Sequence, residues 1–202
     1  MGKNFAPKGK QCRREGVAIH PKGIKVLARR PFPPGQHGSE NRNKLSEYGK
    51  QLREKQKAKR IYGVLEKQFS RYFERALKKE GNTGIILAQL LETRLDNVVY
   101  RSGFASSRPQ ARQIVSHGHV LVNGKKLNIA SYTVEIGDII SIKPSAQASP
   151  LYTRVKEMKE PPSLGWLSVN LNDMSAKLLS VPAEAELEPL FDPRLVVEFY
   201  SR

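Results

Sequence analysis

TRLDNVVYRSGFASSRPQARQIVSHGHVLVNG, residues 93–124, decides the fold. It reads as helix, turn, helix, strand. Leu95, Val98 and Val99 recur at helical spacing and stop at Gly103, a residue suited to a helix C-terminus. Ser107 starts a second helix: its hydroxyl can accept the backbone N–H three residues on, and Gln110 can reach back. Pro109 falls in the first turn, where its missing N–H costs little. Ala111, Ile114 and Val115 form the buried side, Gly118 ends the helix, and His119–Val122 is a strand. Asn123-Gly124 is a strong type I′ hairpin signal.

Arg108 and Arg112 lie four residues apart and share one face of the second helix. Exposed there, two guanidinium forks one turn apart suit phosphates along a nucleic-acid backbone. The competing reading is a solvated basic face on a core helix.

Charge favours the first reading. The chain has 202 residues and a net charge of +16. Residues 1–80 hold 22 Lys and Arg against 7 Glu, and residues 81–202 hold 13 against 12 acidic residues, so the excess sits in the N-terminal part. That asymmetry points to a polyanion, nucleic acid before membrane. No apolar run approaches the roughly 18 residues of a spanning helix, and the N-terminus lacks a signal-peptide core. One cysteine forbids an internal disulfide and fits a reducing compartment, the cytoplasm or an organelle interior.

The length allows one large domain or two small ones. Residues 1–44 are rich in Pro and Gly and poor in apolar residues, which predicts an extended basic arm ordered on RNA. Within it RRPFPPGQHG, residues 29–38, is rigid. Ser46 caps a helix whose Lys50, Arg53, Lys57 and Arg60 form a cationic stripe, with only Glu47 and Glu54 interrupting. The next helix, about 65–80, has Phe69, Tyr72, Phe73, Ala76 and Leu77 at core spacing. Thr83 opens a third with Ile86, Leu87, Leu90 and Leu91 buried.

After the Asn123-Gly124 turn, strands are predicted at 126–129, 132–136, 139–142, 166–171 and 177–180, with a short helix near 151–158. The fold class is α+β: an extended basic N-terminal arm, a helical domain, and an inserted RNA-binding module of helices on a small, mainly antiparallel sheet. The expected domains are the arm at 1–44, the helical domain at 45–92 completed by about 175–202, and the module at 93–174. Glu184, Glu186, Glu188 and Asp192 read as a solvated turn or a contact with the chain's own basic surface.

The 94–124 stretch closely resembles the RNA-binding module of the small-subunit ribosomal protein S-four family. The same module occurs in some pseudouridine synthases and tyrosyl-tRNA synthetases, so the flanks must discriminate. RRPFPPGQHG (29–38), REKQKAKRIYG (53–63), LLETRLDNVVYR (90–101) and the terminal LVVEFYSR all resemble that family, and only 144–192 matches loosely. The enzymes need a further catalytic domain of more than about 100 residues, longer than a small domain's minimum, and no such length is free. No nucleophile elbow, P-loop, HExxH or dinucleotide fingerprint is present, so the reading is a non-enzyme without cofactor. Competing classes are a stand-alone RNA-binding factor that rescues stalled subunits and a repressor of the chain's own mRNA.

Many family members bind zinc through four cysteines ahead of the 29–38 motif. This chain keeps only Cys12, and neither His20 nor His37 completes a four-ligand set, so no metal is expected. His117 and His119 read as RNA-facing or turn-capping.

The resemblance implies an rRNA-binding protein of the small subunit that binds a junction in the 5′ domain, nucleates assembly and contributes to translational accuracy. Implied neighbours are the small-subunit proteins numbered three, five and twelve, and the mRNA where it enters; no membrane is involved. The backbone contacts expected are Arg13, Arg14, Arg29, Arg30, Lys50, Arg53, Lys57, Arg60, Arg108 and Arg112. Gln36, His37, Tyr62, Arg94, Gln113, His117, His119 and Lys125 are second-rank, and Tyr62 equally reads as a cap on the helical core.

Overall fold

The computed structural model describes residues 6–40, 44–158, 160–188 and 190–202. Its helices are α1 (Lys8–Glu15), α2 (Pro21–Arg29), α3 (Glu47–Ile61), α4 (Glu66–Leu77), α5 (Thr83–Glu92), α6 (Leu95–Arg101), α7 (Arg108–Ser116), α8 (Pro144–Gln147), α9 (Thr153–Glu157) and α10 (Pro193–Tyr200). Its strands are β1 (Val120–Val122), β2 (Lys125–Lys126), β3 (Ile139–Ile142), β4 (Leu167–Asn170) and β5 (Ser175–Leu178). Two compact units divide the chain: Met1–Leu87 with Glu188–Arg202, and Ala88–Leu187.

In the first unit the arm is not extended. Residues 8–29 form α1 and α2, which pack on each other. Gly16 ends α1 at φ 71°, and His20 caps α2 by accepting the Lys22 N–H at 3.2 Å. Pro21 then sits at the first helical position, where its fixed φ is already helical. Cys12 is fully buried, and a Cβ on Gly23 would lie 2.5 Å from its sulfur, so α2 can approach α1 only through a glycine. Composition hid this because the two helices lean on each other and on α3 rather than on a core of their own.

Ser46 caps α3 as expected, its hydroxyl accepting from Gly49 N–H at 3.2 Å. The buried side of α3 (Gln51, Lys55, Ala58, Ile61) lies against α10. Tyr200 stacks on Phe73 at 4.6 Å, Lys55 Nζ lies 4.3 Å over Phe199, and Gln51 donates to Glu198 at 2.8 Å. Phe69, Tyr72, Phe73 and Ala76 are buried as their spacing predicts, whereas Leu77 is 55% exposed.

Glu66 accepts from Lys59 Nζ at 2.8 Å, Lys55 Nζ at 2.9 Å and the Tyr200 hydroxyl at 2.8 Å. Burial alone would raise its pKa, but the hydrogen bonds from Lys59, Lys55 and Tyr200 prevail and hold it at about 2. A carboxylate depressed from 4.5 stabilises the fold above that value and loses its contribution as pH falls from 4.5 toward about 2. Glu66→Gln is therefore expected to flatten the acid limb of unfolding in this window. Far-UV circular dichroism against pH checks it; an unaltered limb would contradict the assignment.

In the second unit α6 and α7 pack on an antiparallel sheet of order β2-β1-β3-β5-β4. The core gathers Leu95, Val99, Phe104, Ile114, Ile140 and Trp166, each essentially unexposed. Asn123 and Gly124 both take positive φ, 49° and 77°, as a type I′ turn demands. Asn123 also ties β3 down: its amide donates to Asp138 at 2.7 Å and its carbonyl accepts Ile139 N–H at 2.9 Å.

Four expectations are corrected here. Tyr132–Ile136 is not a strand; its backbone is spent on the start of α6, with Leu95 N–H donating to Tyr132 O at 2.8 Å and Val134 N–H to Thr93 O at 2.9 Å. The second strand shrinks from 126–129 to Lys125–Lys126. Gln110 reaches back to Ser106 N–H at 2.7 Å, and Ser107 makes no side-chain cap. Ser175–Leu178 pairs with β3, so this stretch belongs to the sheet and the C-terminal return to the helical unit begins at Glu188.

Within the loosely matching 144–192 stretch, Tyr152 and Val155 are buried against the sheet's core. Of the acidic cluster, Glu186 accepts from Gly165 and Ala183 N–H at 2.9 and 3.0 Å, and Asp192 caps α10 by accepting Arg194 N–H at 2.8 Å.

Candidate nucleic-acid interface

In the first unit, the Pro-rich loop after α2 is shaped by Arg13. Its guanidinium donates to Phe32 O at 2.9 Å and Pro33 O at 3.0 Å, and lies 4.8 Å over the Phe32 ring. A Cβ on Gly38 would sit 2.0 Å from Pro33 O, so the loop closes only on glycine. Gln36 and His37 project at its exposed tip, with His37 3.6 Å from Glu40. Arg14, Arg29 and Arg30 are exposed beside them in sequence, as are Lys10, Lys22 and Lys25. Arg13 thus shapes the loop, while the others present exposed cationic side chains, Arg14 next to Glu15.

The α3 stripe is less free than its sequence suggests, because carboxylates arrive from elsewhere in the fold. Arg53 lies 3.4 Å from Glu15, and Arg60 also pairs with Glu15. Lys57 meets Glu54 at 2.5 Å, and Lys50 meets Glu47 at 2.7 Å. Burial pushes the Glu15 carboxyl above its ordinary range, against the pull of Arg60 and Arg53. Lys50 alone of the four is exposed. Tyr62 is 3% exposed, edge-on to Phe191 at 6.2 Å, and so belongs to the core.

In the second unit, Arg108 and Arg112 are not the exposed pair their spacing suggested; each side chain is 12% exposed. Arg108 donates to Asn97 Oδ1 at 2.8 Å, lies 4.7 Å over the Tyr100 ring, and comes within 3.8 Å of Glu92. Arg112 lies 3.7 Å from Asp96. Glu92 is fully buried; it takes Arg101 in two hydrogen bonds of 2.8 Å and the Asn97 amide at 2.7 Å. Arg94 is fully buried and grips Asp96 through bonds of 3.0 and 2.7 Å. These arginines join α5, α6 and α7 into one polar network, in which buried charges are tolerated because each has a partner.

The outward groups of this unit are Gln113, His117 and Lys125, all exposed. Lys126 runs beside Gly118, where a Cβ would meet its Cε at 2.3 Å, so its ammonium stem crosses the turn between the two histidines. His119 is half-buried and shares a 3.1 Å hydrogen bond with the Tyr152 hydroxyl, whose pKa burial pushes up to about 12. His119 thus orders the turn, and His117 faces out.

Sequence reasoning passed over Lys126, which lies beside Gly118 at the turn between the two histidines. The residues do not fit a zinc site: Cys12 is sealed against Gly23, and among the described residues no three His, Cys, Asp or Glu converge.

Residues 3–92 match the family model described as Ribosomal protein S4/S9 N-terminal domain, and residues 93–140 match the S4 domain. The chain is similar over its full length to the small ribosomal subunit protein uS4 of Roseiflexus castenholzii, 49% identical with 100% of both chains covered. It is likewise similar to uS4 of Halothermothrix orenii, 50% identical, and of Caldicellulosiruptor saccharolyticus, 49% identical, each with complete coverage. The chain belongs to the uS4 family. It is a structural, non-enzymatic component of the small ribosomal subunit. The boundary between the two family segments, at residues 92 and 93, falls at the end of α5, where Glu92 anchors the polar network. No helix among the described residues is long and apolar enough to cross a membrane.

Proposed function

We propose that this chain binds small-subunit rRNA directly, at a helix junction of the 5′ domain, early in subunit assembly. It then holds the junction in one geometry and contributes to decoding accuracy. Proteins numbered three, five and twelve and the incoming mRNA would be its neighbours, in the cytoplasm or an organelle interior. Recognition runs through phosphates and shape, because A-form grooves hide base edges.

The observation that carries this reading is the set of solvent-facing cations that have no carboxylate partner among the described residues, in a small-subunit protein of net charge +16: Arg29, Arg30, Lys125 and Lys126, with exposed Arg14 beside Glu15. The loop tip with Gln36 and His37, and the turn with Gln113 and His117, add hydrogen-bonding groups beside them. Arg13, Arg53, Lys57, Arg60, Arg108 and Arg112 shape the surface that presents these groups, and Arg94, expected as a contact, has no exposed surface and only holds Asp96.

Each lost phosphate contact should flatten the dependence of log affinity on log salt by about 0.7–0.9. Arg29→Gln with Arg30→Gln is expected to flatten it by about 1.5 units and to weaken binding of a small-subunit rRNA transcript alike across sequence variants. Filter binding across a salt series reads both. Salt-independent binding by the unaltered protein would overturn the proposal.

A further inference from the structure

We propose that Asn123 is a deamidation site controlled by folding: the closed turn keeps its carboxamide away from the Gly124 nitrogen, a chain whose turn stands open loses the amide, and the acid then formed weakens the turn. This goes beyond the rRNA-binding reading and does not rest on it.

Asn123-Gly124 is the one Asn-Gly pair in the sequence. A glycine after asparagine leaves the backbone nitrogen unshielded by a Cβ and free to rotate, which ring closure onto the asparagine side chain needs. The reaction consumes only water. The Gly124 nitrogen gives up its proton and bonds to Asn123 Cγ, the Cγ–Nδ2 bond breaks, and ammonia leaves. Water then opens one of the two imide C–N bonds of the resulting ring, giving aspartate or isoaspartate.

Both residues are exposed, so water and base reach the turn. Geometry is what opposes the reaction. Asn123 sits at φ 49°. In that left-handed region the following nitrogen lies roughly opposite Cβ about the Cα–C bond, so attack on Cγ requires the backbone to rotate out of it. The carboxamide is also pinned at both ends: Nδ2 donates to Asp138 Oδ1 at 2.7 Å, and Oδ1 accepts Ile139 N–H at 2.9 Å. The Asn123 N–H donates in turn to Ile139 O at 2.8 Å. Ring closure must therefore break these ties and lift the turn from β3.

The product does not fit back. A carboxylate at 123 would face Asp138 where the amide now donates, two acceptors with no proton between them. Asp138 is itself held in place, accepting Glu135 N–H at 3.0 Å. Isoaspartate would further add a methylene to a two-residue turn whose register sets Val122 opposite Lys125. Deamidation thus marks chains whose turn has stood open, and it sets a negative charge next to Lys125 and Lys126.

The test incubates the full-length protein at neutral pH, folded and in urea, and scores the peptide containing residue 123 for aspartate and isoaspartate by mass spectrometry. Deamidation is expected to be at least about tenfold slower in the folded protein, because local opening must precede attack. Equal rates in the two states would overturn the inference, as would an unreacted Asn123 in the unfolded chain. The effect of the product is read on Asn123→Asp through Trp166 fluorescence, since Trp166 is buried in the same unit. Its urea midpoint is expected to fall, and adding Asp138→Asn is expected to restore it, because an amide then donates from the other side. An unshifted midpoint in the single variant, or no recovery in the double one, would overturn the claim that the acid weakens the turn.

Discussion

Arg94→Ala is expected to destabilise the second unit by about 3 kcal/mol, the cost typical of removing one partner from a buried ion pair. Arg94 has no exposed surface, and Asp96 is 4% exposed. Deleting the guanidinium leaves Asp96 with Arg112 at 3.7 Å and removes one of the two donors of the Ala130 carbonyl, which Arg94 Nη2 reaches at 3.4 Å and Asp96 N–H at 3.3 Å. The backbone magnifies the effect: residues 93–96 take hydrogen bonds from or give them to Ala130, Tyr132 and Val134, so α6 and this loop depend on each other. Lysine cannot substitute, since one ammonium does not reproduce a two-point grip. The single tryptophan, Trp166, is fully buried in the same unit, and its fluorescence in urea reads the transition directly. A midpoint equal to that of the unaltered protein would contradict the role given to Arg94.

Removing residues 193–202 is expected to unfold most of the first unit while the Trp166 transition persists. The deleted helix carries Val196, which is fully buried, and Phe199 and Tyr200, which cover Lys55, Phe69 and Phe73. At roughly 1.5–3 kcal/mol for each large apolar side chain fully buried, partial burial of these still amounts to about 4 kcal/mol. That is a large share of a domain's net stability, which is about 5–15 kcal/mol. Lys55 and Gln51 would also lose partners at buried positions. Helical signal by circular dichroism should fall well before Trp166 reports anything. Coincident transitions with unchanged amplitude would show that α10 is not needed to close this unit.

Much of this was legible in 93–124. The periodicity of Leu95, Val98 and Val99, the Gly103 and Gly118 stops and the Asn123-Gly124 turn all describe local geometry, which neighbouring residues in sequence decide. The misreadings concern what distant residues supply. Arg108 and Arg112 read as free because Asn97, Glu92 and Asp96 approach only once α6 folds against α7. The α3 stripe read as free because Glu15, on another helix, pairs two of its members. Tyr132–Ile136 has the alternation of a strand, yet its hydrogen bonds go to the α6 start. The arm read as extended because α1 and α2 bury few large apolar groups and rely on a close glycine–cysteine contact. Charge can be counted from sequence; whether a charge faces water or a partner depends on the fold.

The central claim is that the exposed cations with no carboxylate partner among the described residues carry RNA binding, while the paired arginines build the surface that presents them. The most direct test is the salt slope for a small-subunit rRNA transcript, compared between Arg29→Gln, Arg30→Gln and Arg108→Gln, Arg112→Gln. The account predicts a slope flattened by about 1.5 units in the first variant, and in the second a near-normal slope with lowered stability of the second unit. A flattened slope in the second variant with the first unchanged would contradict it, and would place the phosphates on α7 instead.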